Sequence, residues 1–175
     1  AQQGSHVVHS PQSNLKLGSG IAPISEMFNQ KINLSIGTDG AASNNDLDMF
    51  SEMQTASLLS KGVSNDPSLI KAQDILAMAT LNAARALGID EKVGSIEPGK
   101  EADIIAIKTD DYWQTPIFNP FSHLVYSSNR LSVSDVWVRG RMLMQNHSLT
   151  TIDIEKLKTQ LNPLLEKIKP FMYIK

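Results

Sequence analysis

Apolar positions in the first half of the chain arrive in two rhythms. Val7 and Val8 form a short β-prone run ending at His9, and "KINLSIG" repeats that signal, with Ile32, Leu34 and Ile36 alternating ahead of Thr38, Asp39 and Gly40. Between them, "SPQSNLKLGSG" is full of turn formers and glycines and is predicted as a loop. Pro23 then suits a first helical turn, and "ISEMFNQ" places Ile24, Met27 and Phe28 at i, i+3 and i+4, which predicts a short amphipathic helix. Strand, loop, helix and strand follow one another. His9 and Asp39 lie about 30 residues apart, roughly one βαβ step, and each stands where a strand runs out. This spacing predicts equivalent positions at the carboxyl ends of parallel strands, so that in an α/β barrel the Asp and the His face one pocket.

Farther along, Asn45 or Asp46 is the expected cap of a helix from about Leu47 to Lys61, with Gly62 as its stop. Asp66 and Pro67 open a second helical stretch, Ser68 to Leu87, whose expected face is Leu76, Thr80, Ala83 and Leu87, ended by Gly88. Beyond Glu91 the period changes. "VGSIEPGKEADIIAI" predicts strand, Pro-Gly turn and strand, and "DVWVRGRMLMQ" predicts strand, Arg-Gly turn and strand. Tyr112 to Asn119 is expected as a loop and "PFSHLVYSS" as a short helix. Ile152 to Ile168 has helical spacing, with Pro163 expected to kink or split it. The α/β part is therefore placed at residues 1–90, antiparallel β segments with an intervening loop and helix at 91–150, and a helical tail at 151–175.

Composition narrows the function. A chain of 175 residues that is 41% apolar holds enough material for one ordinary core. Its net charge of −2, with both signs interspersed, gives no footprint for nucleic acid or an anionic membrane, and a small-molecule partner is expected. The absence of cysteine excludes disulfides and thiolate metal sites but leaves imidazole and carboxylate ligands. No apolar run reaches membrane-spanning length, and a cytoplasmic location is expected. Gly18 and Gly20 do not make a phosphate loop, since no Lys-Ser/Thr pair follows them. The methionines, Trp113 and Trp137 read as packing, and His6 and His123 as surface or packing residues.

With these residues in view, "VVHSPQSNLKLGSGIAP" followed by "IGTDGAASNNDLDMFSEM" resembles the amidohydrolase superfamily, in particular the aminohydrolase branch that includes 5-methylthioadenosine/S-adenosylhomocysteine deaminases and triazine hydrolases. "VGSIEPGKEADIIAI" and "SDVWVRGR" resemble the C-terminal sandwich segments of that family, and Ser10 stands where many members carry Cys or Asn. The resemblance implies a (β/α)8 barrel with a small β-sandwich, of which this chain holds the last two strand–helix units, the sandwich strands and a C-terminal helix. It implies one divalent metal, zinc or alternatively iron, held by a His-x-His pair, a further His and an Asp. Asp39 takes the place of that Asp, as metal ligand and catalytic proton acceptor. His9 takes that of a pocket-lining His, with Ser13, Asn14 and Ser43 as candidate substrate contacts. A homo-oligomer is implied for the parent enzyme.

The implied imidazole ligands are not found in the chain: His6 and His9 are separated by two residues rather than one, and His123 and His147 fall in the later region. A barrel of this kind takes about 250 residues. The expectation is therefore the C-terminal portion of a hydrolytic deaminase for an amino-substituted heterocycle, inactive alone and not retaining metal without its missing ligands. The alternative is an inactive truncated chain that self-associates or requires its missing N-terminal portion, since open strand edges are sticky. The coding sequence upstream of Ala1 tests both: an in-frame His-x-His and a later His-x-x-Glu are expected, and a start codon at the boundary would overturn the assignment.

Overall fold

In the computed structural model, residues 3–171 are described; the outer ends of the predicted first and last segments, residues 1–2 and 172–175, lie outside the described residues. Strand β1 (His6–His9) lies parallel to β2 (Asn33–Ile36), with His6 opposite Asn33 and His9 opposite Ile36. A parallel pair needs a crossover, supplied by helices α1 (Pro11–Leu17) and α2 (Ile24–Asn29). Helix α1 corrects the expected loop after His9. Pro11 presets φ at the first turn, and Gly18, at φ 66°, closes the last one, while the Ser19 N–H reaches the Asn14 carbonyl at 2.9 Å. The residues that suggested a loop are the two ends of a two-turn helix. Strand β2 is also buried more completely than its alternation implied: Leu34, Ser35 and Ile36 are all inside, as suits a strand covered on both faces.

Helix α3 (Met49–Ser64) starts two residues later than expected. Its cap is Asp48, whose Oδ1 accepts the Phe50 N–H at 2.9 Å, because Asn45 and Asp46 bond within the preceding loop instead. It runs through Gly62 and ends where Asn65 turns left-handed at φ 53°. The expected long helix after Pro67 is two, α4 (Ala72–Ala79) and α5 (Leu81–Ala86), broken at Thr80 with φ −128° and ψ −96°. The break turns the buried face to Ala72, Ile75, Met78 and Ala84, and leaves Leu87 73% exposed.

The second sheet is antiparallel in the order β3 (Ile104–Ile107), β4 (Val133–Val138), β5 (Arg141–Gln145) and β6 (Ser148–Leu149). Arg139 and Gly140, at φ 52° and 75°, form the expected hairpin turn. The strand expected at Val93 to Ile96 is instead a run of turns. Gly94, at φ 93°, packs there so closely that a Cβ would stand 2.8 Å from that of Ala84. Helix α6 (Pro120–Tyr126), capped by Asn119, forms as expected and sends the fully buried Val125 back into the core under α3 and α4. Helix α7 (Ile154–Ile168) passes through Pro163 as one helix, so the expected alternative of a split does not occur. None of its residues is buried, so the carbonyl that Pro163 leaves without its usual donor belongs to an exposed helix. No helix among the described residues is long and apolar enough to cross a membrane.

The core gathers Ile24, Leu34, Ile36, Phe50, Met53, Ile70, Ile75, Met78 and Val125 between the parallel pair and α3, α4 and α6. Within it, α3 also buries a carboxylate, Glu52, which is 0% exposed. Burial outweighs its hydrogen bonds, Asp46 adds repulsion, and its pKa rises from 4.5 to about 7.

Two outcomes are expected. Ile75→Ala removes a fully enclosed side chain and lowers the unfolding free energy by about 2–5 kcal/mol in urea titrations. The folded state binds the Glu52 proton more tightly than the unfolded one does, so this group's contribution is best below pH 4.5 and declines as pH rises toward about 7. Relative to Glu52→Gln, wild-type stability should therefore fall across that window, by on the order of 3 kcal/mol in total. Parallel curves for the two proteins would contradict this.

Candidate functional site

The parallel register brings the segments after β1 and β2 to the same end of the pair. Past Ile36, the Gly37 N–H still bonds the His9 carbonyl at 3.0 Å; the chain then turns, and Asp39 takes a left-handed φ of 62°. Its carboxylate meets two hydroxyls. Ser13 Oγ, from α1, donates to Oδ2 at 2.8 Å, and Ser43 Oγ donates to the same oxygen at 2.6 Å. Oδ1 has no side-chain hydrogen bond among the described residues. The Ser43 and Ser13 hydroxyls, with the Gly40 N–H, hold the Asp39 pKa below the usual carboxylate range despite a small opposing effect of desolvation. The result is an exposed, ionised carboxylate with one oxygen anchored and the other available to a cation or a proton.

His9 ends β1 and is only 3% exposed, with no hydrogen-bond partner for Nδ1 among the described residues. Burial lowers its pKa to about 4, so the ring is neutral at pH 7. It lines a cavity of about 450 Å³ together with Pro23, Ile24, Glu26, Ser60 and Leu69. Asp39 is not among the residues lining that cavity. In the register of the pair His9 lies opposite Ile36, so Asp39 stands three residues beyond the position equivalent to His9.

The other candidates are sorted by their bonds. Ser13 is buried and its hydroxyl is committed to Asp39, while Ser43 bonds both Asp39 and the Gly40 carbonyl. Asn14 is half-buried on α1, and its carbonyl serves the helix end. Lys16 donates to the Ala42 carbonyl at 2.8 Å and to Asn45 Oδ1 at 2.6 Å, so it ties α1 to the Asp39 loop. His6 is exposed, with Nδ1 2.8 Å from Asn33 Nδ2, and His123 lies against Gln114. Three residues that sequence reasoning missed complete the seam. The Asn44 side chain donates to Glu52 Oε1, the Gln12 N–H donates to Oε2 at 3.4 Å, and the Gln12 side chain reaches Ser51 and Thr55. A Glu early in a helix gives no sequence signal of burial, because the partners that make burial tolerable come from elsewhere in the chain.

No group of three or more His, Cys, Asp or Glu that could hold a metal ion occurs among the described residues. The donor set here fits one ligand of a larger set: a single ionised oxygen, oriented by two hydroxyls bound to its neighbour.

Comparison with known proteins places this arrangement. The 5-methylthioadenosine/S-adenosylhomocysteine deaminase of Teredinibacter turnerae is 46% identical over 168 residues, covering 96% of this chain and 38% of that protein. The 5'-deoxyadenosine deaminase of Methanothermobacter thermautotrophicus is 48% identical over 153 residues, covering 87% of this chain and 35% of its own length. The chain thus spans well under half the length of the curated relatives it matches. Among solved structures, a zinc-bound adenosine deaminase from Xanthomonas campestris superposes with a TM-score of 0.93 at 41% identity, over 97% of this chain and 38% of that one. Atrazine chlorohydrolase from Arthrobacter aurescens, complexed with zinc, gives 0.83 at 27% identity, over 94% of this chain and 36% of that one. The amidohydrolase family model matches residues 1–143, which include the parallel pair, the Asp39 loop and most of the antiparallel sheet, and the chain belongs to the amidohydrolase family.

Proposed function

We propose that this chain is the C-terminal portion of a metal-dependent hydrolase that deaminates an amino-substituted heterocycle, most closely a nucleoside of the 5-methylthioadenosine or S-adenosylhomocysteine type. The observation that carries the reading is the Asp39 carboxylate, ionised and held at Oδ2 by the Ser13 and Ser43 hydroxyls at the end of a parallel strand pair. Deaminase relatives at 46% and 48% identity support the substrate class. In this reading, residues 1–90 are the last two strand–helix units of a (β/α)8 barrel, 91–150 belong to the β-sandwich and 151–175 form the tail.

Asp39 would hold a divalent cation, zinc by analogy with the zinc-bound structures, with the remaining ligands supplied from outside this chain. When bound, such a cation lowers the pKa of water from 15.7 to about 7. Asp39 accepts the proton of the attacking water and passes it to the leaving amine, a role suited to a carboxylate that is ionised at neutral pH. Ser13 and Ser43 hold Oδ2, which leaves Oδ1 for the cation or the proton; Ser13 acts here by orienting Asp39 rather than by touching substrate. His9, neutral and with no partner for Nδ1 among the described residues, is the candidate to bond a polar atom of the substrate, with Asn14 on the helix that follows it.

A second reading concerns this polypeptide alone: an inactive piece that self-associates or waits for its N-terminal portion. Val8 on β1 is 62% exposed, and β1 pairs with β2 on one side only among the described residues.

In the full-length protein, Asp39→Asn is expected to lower kcat by about 10²–10⁴-fold and to reduce the metal content of the purified enzyme. Unchanged turnover with full metal content would end the reading. The 175-residue chain alone should bind no zinc at micromolar levels and should elute as an oligomer; a clean, zinc-binding monomer contradicts both expectations.

A further inference from the structure

Glu52 is an acid in an expensive place. It is 0% exposed, its pKa is pushed up by burial, and an apolar residue at that position of α3 would be cheaper to enclose. Its bonds show what an acid provides. Oε1 accepts the side-chain amide of Asn44, which belongs to the loop after β2, and Oε2 accepts the main-chain N–H of Gln12, which belongs to α1. Both partners are donors, and the ionised carboxylate offers an acceptor oxygen to each; a glutamine would turn its own amide toward one of them.

The neighbours of those partners are the hydroxyls on Asp39. Gln12 precedes Ser13, and Asn44 follows Ser43. The loop between them is strained: Asp39 and Leu47, neither of them glycine, have φ of 62° and 50°. Such residues persist only where their surroundings over-determine them. Asn44 does so at the far end, because its Oδ1 accepts the Leu47 N–H at 3.1 Å while its amide is held by Glu52. Lys16 works from outside the same seam, but it is exposed to solvent and weaker for it.

We infer that Glu52 is a positioning residue: by bridging Asn44 and the Gln12 main chain it locks the Asp39 loop to α1, and so fixes the direction in which Asp39 Oδ1 points. Its consequence for turnover rests on the role proposed above for Asp39; its effect on the loop does not.

The test is peptide-level hydrogen exchange on the full-length protein, with deamination kinetics alongside. Glu52→Gln should speed exchange across residues 40–48 by about tenfold or more, while leaving β4 and β5 unchanged. The exchange variant Asn44→Asp with Glu52→Gln swaps donor and acceptor. Its Asp accepts both the Leu47 N–H and the new amide, while the Gln oxygen accepts the Gln12 N–H. That double variant should return loop exchange to within about threefold of wild type, and kcat, lowered in the single variant, should recover with KM little altered. Unchanged loop exchange in Glu52→Gln overturns the inference. So does acceleration spread evenly over the molecule, which would mark a general loss of stability, or a double variant as loose as the single one. If the wild-type enzyme itself deaminates nothing, the reading of Asp39 fails while the exchange data still decide the role of Glu52.

Discussion

The parallel register of His6–His9 against Asn33–Ile36 is the constraint from which the site follows. Parallel strands leave their sheet at the same end, so the chain after each strand has to turn in the same neighbourhood. Here the first turn becomes α1 and the second becomes the Asp39 loop, and Ser13 meets Asp39 across 26 residues of sequence at 2.8 Å. A shift of one residue would point alternate side chains the other way and separate the pair.

What the register brings together, buried polar groups hold in place. The face that α3 turns inward is apolar at Phe50, Met53 and Ala56 but polar at Glu52, Ser57 and Ser60. Each polar group is answered: Glu52 by Asn44 and Gln12, Ser57 by the Tyr126 hydroxyl at 2.6 Å, and Ser60 by the Ser57 carbonyl at 2.9 Å. The cost of enclosing a carboxylate appears in the raised pKa of Glu52, and the compensation is a loop kept in a conformation its own residues disfavour. Asp39 experiences the opposite balance. It is exposed, so hydroxyl donors dominate over desolvation and its pKa moves down. Two acids within one seam are thus driven in opposite directions by solvent access.

The antiparallel sheet is joined to this assembly by α6. Val125 enters the main core, and Tyr126 reaches α3 through both its hydroxyl and its carbonyl, the latter accepting from Gln54 at 3.1 Å. The backbone of Arg130, just beyond, also donates to Asp48, the residue that caps α3. The later half of the chain therefore steadies the helix on which Glu52 stands. Helix α7 makes no comparable commitment, and its apolar residues remain exposed.

Sequence by itself determined the period: two short strands a βαβ step apart, the Arg-Gly hairpin of β4 and β5, α6, and Asp39 as the acid just past a strand end. These are local signals, carried by side-chain alternation, turn residues and motif spacing. Tertiary structure decided the rest. Pro11 and Gly18 bounded a helix because the crossover had to cover the pair, Asp48 rather than Asn45 or Asp46 capped α3 because those two were engaged in the loop, and Thr80 broke a helix that the periodicity made continuous. It also placed His9 against a cavity that Asp39 does not line, and buried Glu52 between two segments that sequence separates by dozens of residues. A hydrogen bond across such a distance depends on where two segments meet, and no window of neighbouring residues contains that information.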